Sequence, residues 1–208
     1  MRTRVKICGF TRVEDAVYAA RLGIDAIGLV FYPPSSRFVS INGARQIVAA
    51  LPPFVTVVGL FVDAPSAWIS EVLAKVPVDL LQFHGDESPE TCRAYRRPYI
   101  KVVRMREGVD LFAIQRHYAD AAGLLLDAFD PQAPGGTGSV FDWRLVPEGL
   151  TMPLIVAGGL HPGNVKQAIL AAQPYGVDVS SGVEALKGIK DKNKMVAFLN
   201  EVNQCDYN

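Results

Sequence analysis

Short apolar runs rich in β-branched residues recur eight times along the 208-residue chain, mostly separated by stretches with helical spacing, and this alternation leaves few folds open. The runs are 5–8, 26–31, 55–62, 80–84, 99–105, 124–127, 154–157 and 177–179. The segments 13–22, 41–50, 66–75, 88–96, 109–120, 163–172 and 191–202 carry helical spacing or helix-start signals. Asp63-Ala64-Pro65-Ser66 and Ser88-Pro89-Glu90 read as N-terminal punctuation, where proline is tolerated. The stretch 128–153 is different: Pro131, Pro134, Gly135, Gly136 and Gly138 predict a long loop with a short helix around 141–145.

Eight βα units in a chain of this length sit at the lower end of the range for a (β/α)8 barrel, which begins at roughly 200 residues. An open, doubly wound sheet is the structural rival, because alternation alone does not prove closure. The count of eight, and a first strand not followed by GxGxxG, favour an α/β (β/α)8 TIM barrel forming a single domain over 1–208. The charges balance, 21 basic against 21 acidic, so no global field draws nucleic acid or an anionic membrane. Cys8, Cys92 and Cys205 are an odd set without CxxC spacing, and the first residues are charged rather than apolar. A reduced, cytoplasmic protein with no nucleic-acid or membrane partner is expected. Its longest apolar runs stop far short of the roughly 18 residues of a membrane span.

Closure would gather the C-terminal strand ends on one face, so polar residues just after the apolar runs should converge. Cys8, Arg37, His84, Asp127, Gly158, Gly159, Ser180, Ser181 and Gly182 meet that condition. Alone, Cys8 reads as a small buried core residue. Alone, Asp127 could cap a turn or pair with an arginine, but a partly desolvated carboxyl there would hold its proton and suit a general acid. Their pairing on one rim carries the argument. Gly158-Gly159 and Ser180-Ser181-Gly182 follow the seventh and eighth runs, where barrels often bind phosphate through backbone N–H groups and hydroxyls. Asp178, being acidic, is read as structural or as a positioner of that loop. Arg37 could fork onto a substrate carboxylate or lie solvated on the surface. His84, in Gln82-Phe83-His84, has no second histidine at metal spacing, and His117 and His161 add none. Gln82 and His84 are read as substrate contacts, with no metal site.

Taken in order, Lys6-Ile7-Cys8-Gly9, Gln82-Phe83-His84-Gly85, Gly135-Gly136-Thr137-Gly138, Ala157-Gly158-Gly159-Leu160 and 178–184 resemble the phosphoribosylanthranilate isomerase family over nearly the whole chain. The resemblance implies an Amadori rearrangement of a phosphosugar-anthranilate substrate in tryptophan biosynthesis, without metal or organic cofactor. It implies Cys8 as general base and Asp127 as general acid. Arg37 would hold the anthranilate carboxylate, and Gly138, Gly158, Gly159, Ser180, Ser181 and Gly182 would surround the phosphate. Phe83 stands where the family usually has Leu, and Ser36 where Pro often precedes the arginine. Lys6 is expected to point away from Cys8, leaving helix dipoles, backbone donors or the substrate to activate the thiol. A related phosphosugar lyase or another aminoaldose isomerase would share the phosphate cradle but need a lysine or second carboxylate in place of Cys8. A non-enzymatic phosphosugar-binding protein would need the cradle alone. Either a monomer or a homodimer is compatible with the apolar helix faces.

Overall fold

Strand pairing decides between the closed and the open sheet. The computed structural model of the chain describes residues 2–128 and 141–205. Its strands β1 (Arg4–Cys8), β2 (Ala26–Val30), β3 (Thr56–Phe61), β4 (Leu80–Phe83), β5 (Tyr99–Met105), β6 (Gly123–Ala128), β7 (Leu154–Val156) and β8 (Gly176–Val179) pair in chain order. β8 then returns to β1 in parallel, with Lys6 opposite Asp178 and Ile7 opposite Val179, and the barrel is closed.

The helices α1 (Val13–Arg21), α2 (Ile41–Ala49), α3 (Ser66–Lys75), α4 (Pro89–Arg93), α5 (Leu111–His117), α6 (Val165–Ala172) and α7 (Lys192–Cys205) fall on the expected segments. Caps explain several of their starts: the Ser40 side chain accepts from Gly43 N–H, Ser88 from Thr91 N–H and Asp110 from Ala113 N–H. α4 and α5 are shorter than their spacing suggests. Arg96 takes a positive φ of 51° just past α4, and the Tyr118 cap of α5 is already non-helical, so local backbone geometry ends both. The short helix expected around 141–145 is one 3-10 turn, Trp143–Leu145, whose Asp142 side chain accepts from Arg144 N–H. An antiparallel hairpin, β9 (Glu184–Leu186) with β10 (Ile189–Lys190), was not expected, because strands of this length carry too little alternation to register.

The period of two along each strand sorts side chains into two environments. Outward residues such as Ile7, Ile27, Leu29, Phe61, Leu81 and Leu126 pack with helix residues including Ala16, Ile47, Ile69 and Phe198 in one continuous core. Inward residues form smaller apolar groups, Cys8 with Val30 and Leu60, and Ile100 with Val102, Leu125 and Ala157. The buried polar side chains Lys6, Gln82, Asp127 and Asp178 alternate onto this inner face as well. The outer core therefore supplies most of the apolar burial, and the inner face can carry chemistry. Phe61, fully buried and stacked on Phe31 with ring centroids 5.5 Å apart, belongs to the outer core. Phe61→Ala is expected to lower the unfolding free energy by about 3–5 kcal/mol in urea titrations. A loss under about 1 kcal/mol would show that neighbouring side chains refill the space.

Candidate active site

The inner face opens at the C-terminal strand ends onto a cavity of about 520 Å³. Its walls include Cys8, Arg37, Gln82, His84, Asp127, Gly158, Gly159, Ser180 and Ser181. Of the candidates named from sequence, Gly138 lies outside the described residues. Gly182 is not among the lining residues, and a Cβ there would collide with the Leu160 carbonyl.

Cys8 ends β1 with its side chain turned inward beside Gly28 of β2, its register partner. A Cβ on Gly28 would lie 2.5 Å from Cys8 Sγ and 2.9 Å from Cys8 Cα, so glycine makes the room the thiol occupies. Burial pushes the thiol above its ordinary value, although Lys6 and Lys190 pull it back. Asp127 faces the same cavity from β6. Its Oδ1 accepts the Ala128 N–H at 2.9 Å, and its Oδ2 lies 3.1 Å from His84 Nε2, a ring nitrogen not aligned for a hydrogen bond. Gly158, with φ of 78°, lets the backbone pass directly over Asp127 and Ala128, where a side chain would not fit. Gln82 Oε1 is buried without a hydrogen-bond partner among the described residues.

Arg37 lines the cavity but is not solvated. Its Nε and Nη2 each donate to the Glu184 carboxylate at 2.8 Å. Glu184 takes only this edge, and Nη1 has no such bond among the described residues. Lys190, whose side chain is fully buried, donates to Glu184 Oε1 at 2.9 Å, to Cys8 O at 2.6 Å and to Ser180 O at 3.2 Å. Ser180 Oγ also donates to Cys8 O, at 3.0 Å. Burial alone would raise the Glu184 carboxyl, but Arg37 and Lys190 hold it below its ordinary value. Neither Glu184 nor Lys190 was singled out from sequence as a partner of Arg37. The tie spans 147 residues and leaves no local pattern.

Lys6 corrects an expectation. Residues two apart on a strand share a face, so Lys6 points inward with Cys8 rather than away from it. Its Nζ donates to Asp178 Oδ2 at 2.8 Å, both side chains being buried. Burial pulls the Lys6 ammonium down, but Asp178 and Cys8 together outweigh it and hold it above its ordinary value. Asp178 thus faces the cavity as the partner of a buried cation. Among the described residues, no three His, Cys, Asp or Glu side chains are grouped to hold a metal ion, and no helix is long and apolar enough to cross a membrane.

A closed parallel barrel with its ionisable side chains gathered around one cavity at the C-terminal rim is the architecture of a (β/α)8-barrel enzyme. A family model described as N-(5'phosphoribosyl)anthranilate (PRA) isomerase matches residues 5–201, and the chain belongs to that family of aldose–ketose isomerases. It is 59% identical over 203 residues to the N-(5'-phosphoribosyl)anthranilate isomerase of Nitrosococcus oceani, covering 98% of each chain. Among solved structures, it is similar to phosphoribosyl anthranilate isomerase from Thermotoga maritima, with a TM-score of 0.89 and 40% identity over 97% of this chain and 99% of that one. It is also similar to a phosphoribosyl anthranilate isomerase in complex with reduced 1-(o-carboxyphenylamino)-1-deoxyribulose 5-phosphate, with a TM-score of 0.85 and 39% identity over 97% and 99% of the two chains.

The space around Cys8 gives a steric test. Gly28→Ala is expected to force Sγ from its position, lowering stability by about 1–3 kcal/mol and isomerase turnover at least ~10-fold. Wild-type turnover and stability in this variant would show that the close approach has no role.

Proposed function

We propose that this chain converts N-(5-phosphoribosyl)anthranilate to 1-(2-carboxyphenylamino)-1-deoxyribulose 5-phosphate in tryptophan biosynthesis, with Asp127 as general acid and Cys8 as general base. The observation that carries the reading is that Cys8 from β1 and Asp127 from β6 line one cavity beside Arg37 and the Ser180 cradle. Asp127 donates its proton to the ribose ring oxygen, and the C1′–O bond breaks to leave an iminium. The Cys8 thiolate then takes the C2′ proton, whose bonding electrons move toward the iminium nitrogen and form an enolamine. Tautomerisation yields the ketone.

The walls suggest a distribution of the substrate. The Nη1 edge of Arg37 suits the anthranilate carboxylate, while Glu184 fixes the opposite edge of the guanidinium. Gly158, Gly159, Ser180 and Ser181, with Gly138 and Gly182 beside them in the sequence motifs, suit the phosphate. His84 lies against Asp127, and Gln82 Oε1 is an uncommitted acceptor for a sugar hydroxyl. The route draws on no metal or organic cofactor. Either a monomer or a homodimer fits the reading, since the apolar helix faces could be core edges or a dimer patch. An odd set of cysteines without CxxC spacing supports a reducing, cytoplasmic setting.

Purified protein should abolish the fluorescence of authentic substrate as turnover proceeds; no change would reject the activity. Cys8→Ala and Asp127→Asn are each expected to cut turnover about 10²–10⁴-fold while leaving affinity for the reduced product analogue nearly intact. Wild-type rates in both variants would sink the acid and base roles. A binding protein would keep its affinity and show no turnover to lose. Because burial raises the Cys8 thiol, the base form is scarce in acid and grows with pH, so kcat/KM should climb between pH ~7 and ~9. A flat profile there, with chemistry rate-limiting, would contradict a thiolate base.

A further inference from the structure

The Lys6–Asp178 pair is an unusual thing to keep inside a barrel. Removing two charges from water is costly, and apolar side chains of similar volume fill a core at least as well. The other buried lysine–carboxylate pairs have visible structural work. Lys101 joins Glu87, but its Nζ also reaches Gly85 O at 2.5 Å, and Glu87 accepts from the Asp63 and Gly85 N–H groups, so that pair fastens a loop. Lys190 spends its hydrogens on Cys8 O, Ser180 O and Glu184. Lys6 reaches no backbone carbonyl among the described residues, and Asp178 Oδ1 is buried without a hydrogen-bond partner. The pair fastens nothing except itself, and the next inward residue along β1 is Cys8.

We propose that Lys6, held in place by Asp178, is the cation that stabilises the Cys8 thiolate, making Lys6 a positioning residue for the base. The inference rests on the reading of Cys8 as that base. The charged or titratable groups around the thiol are Asp178 on β8, Lys190 on β10, the exposed Lys187 in the turn between β9 and β10, Arg37 and Tyr32 beyond β2, and His84 and Asp127 elsewhere on the cavity wall. Arg37 is bound along one edge to Glu184, and Lys190 is spent on its carbonyl and carboxylate partners. Lys6 alone among these cations sits on the same strand face as Sγ with hydrogens uncommitted to other described groups. Its charge and hydrogen bonding pull the thiol down, against the larger opposing effect of burial.

In turnover the thiol first releases its proton to solvent through the open cavity, leaving S⁻ against the Lys6 ammonium. The thiolate takes the C2′ proton, and the electrons of that C–H bond enter the enolamine. A proton is delivered to C1′ and the enol hydroxyl loses one as the ketone forms, so atoms and charge balance while Lys6 stays protonated.

The test reads the thiol directly. Iodoacetamide labelling of Cys8, followed by peptide mass spectrometry across pH, gives its titration midpoint in the parent, in Lys6→Met and in Lys6→Arg. Lys6→Met is expected to move the midpoint upward by at least ~1 unit, slowing labelling near neutral pH at least ~10-fold. The acid limb of kcat/KM should move by the same amount, and Lys6→Arg should recover most of both. A folded Lys6→Met with the parental midpoint, or a shifted midpoint with an unmoved acid limb, overturns the proposal. If Lys6→Met does not fold, Lys6→Met combined with Asp178→Asn leaves no unpaired buried charge; an upward shift is again expected, and an unchanged or lower midpoint overturns the idea. Cys8→Ala separates the two layers. Parental turnover in that variant would dispose of the base assignment, whereas the labelling midpoints report on Lys6 without using turnover at all.

Discussion

The parallel ladder between β1 and β8 joins residues 4–7 to 176–179, and the rest of the molecule is organised by that seam. Parallel neighbours cannot be linked by a tight turn, so each needs a crossover, and only closure satisfies both edges of the final sheet. At the seam it also sets Lys6 opposite Asp178 and brings Ser180 Oγ to the Cys8 carbonyl. Lys190 reinforces the junction from the hairpin, with its ammonium on Cys8 O and its own N–H on Asp15 of α1. An open sheet of the same strands would keep the outer core but separate the thiol from its cradle.

Strand alternation gives the barrel a division of labour. The outward faces meet the helices in a continuous apolar core, which leaves the inner face able to carry lysine, glutamine and carboxylates that would be costly elsewhere. Glycines stand where the cavity wall is tightest: Gly28 beside the thiol and Gly158 over the carboxyl. A side chain at either position would collide with the thiol or with the carboxyl. Stability and function therefore draw on opposite faces of the same strands.

Much of this was legible beforehand, for physical reasons that differ from part to part. The eight strands could be read because each is an apolar run bounded by turn residues, and their number favoured closure, which the β1–β8 pairing then settled. The rim candidates could be read because a closed parallel barrel sends every strand's C-terminal end to one side. The Arg37–Glu184 fork could not, because through-space partner choice across 147 residues leaves no periodic trace. The hairpin at 184–190 was invisible because its strands are too short to alternate measurably. Lys6 is a different case: its inward direction follows from the period of two, once it is counted from Cys8 rather than from its immediate neighbour Ile7.

The seam also has a consequence for the newborn protein. Lys6 leaves the ribosome 172 residues ahead of Asp178, and the Cys8 carbonyl 182 ahead of the Lys190 ammonium. At about 5–20 residues per second, that interval lasts on the order of ten seconds or more. Throughout it the nascent chain carries a lysine and a thiol destined for burial but without their counterparts, so neither can be sequestered favourably. The last strand and hairpin thus supply the counterparts of a lysine and a thiol made at the start of the chain, and α7, with Phe198 fully buried in the core, can pack only after them.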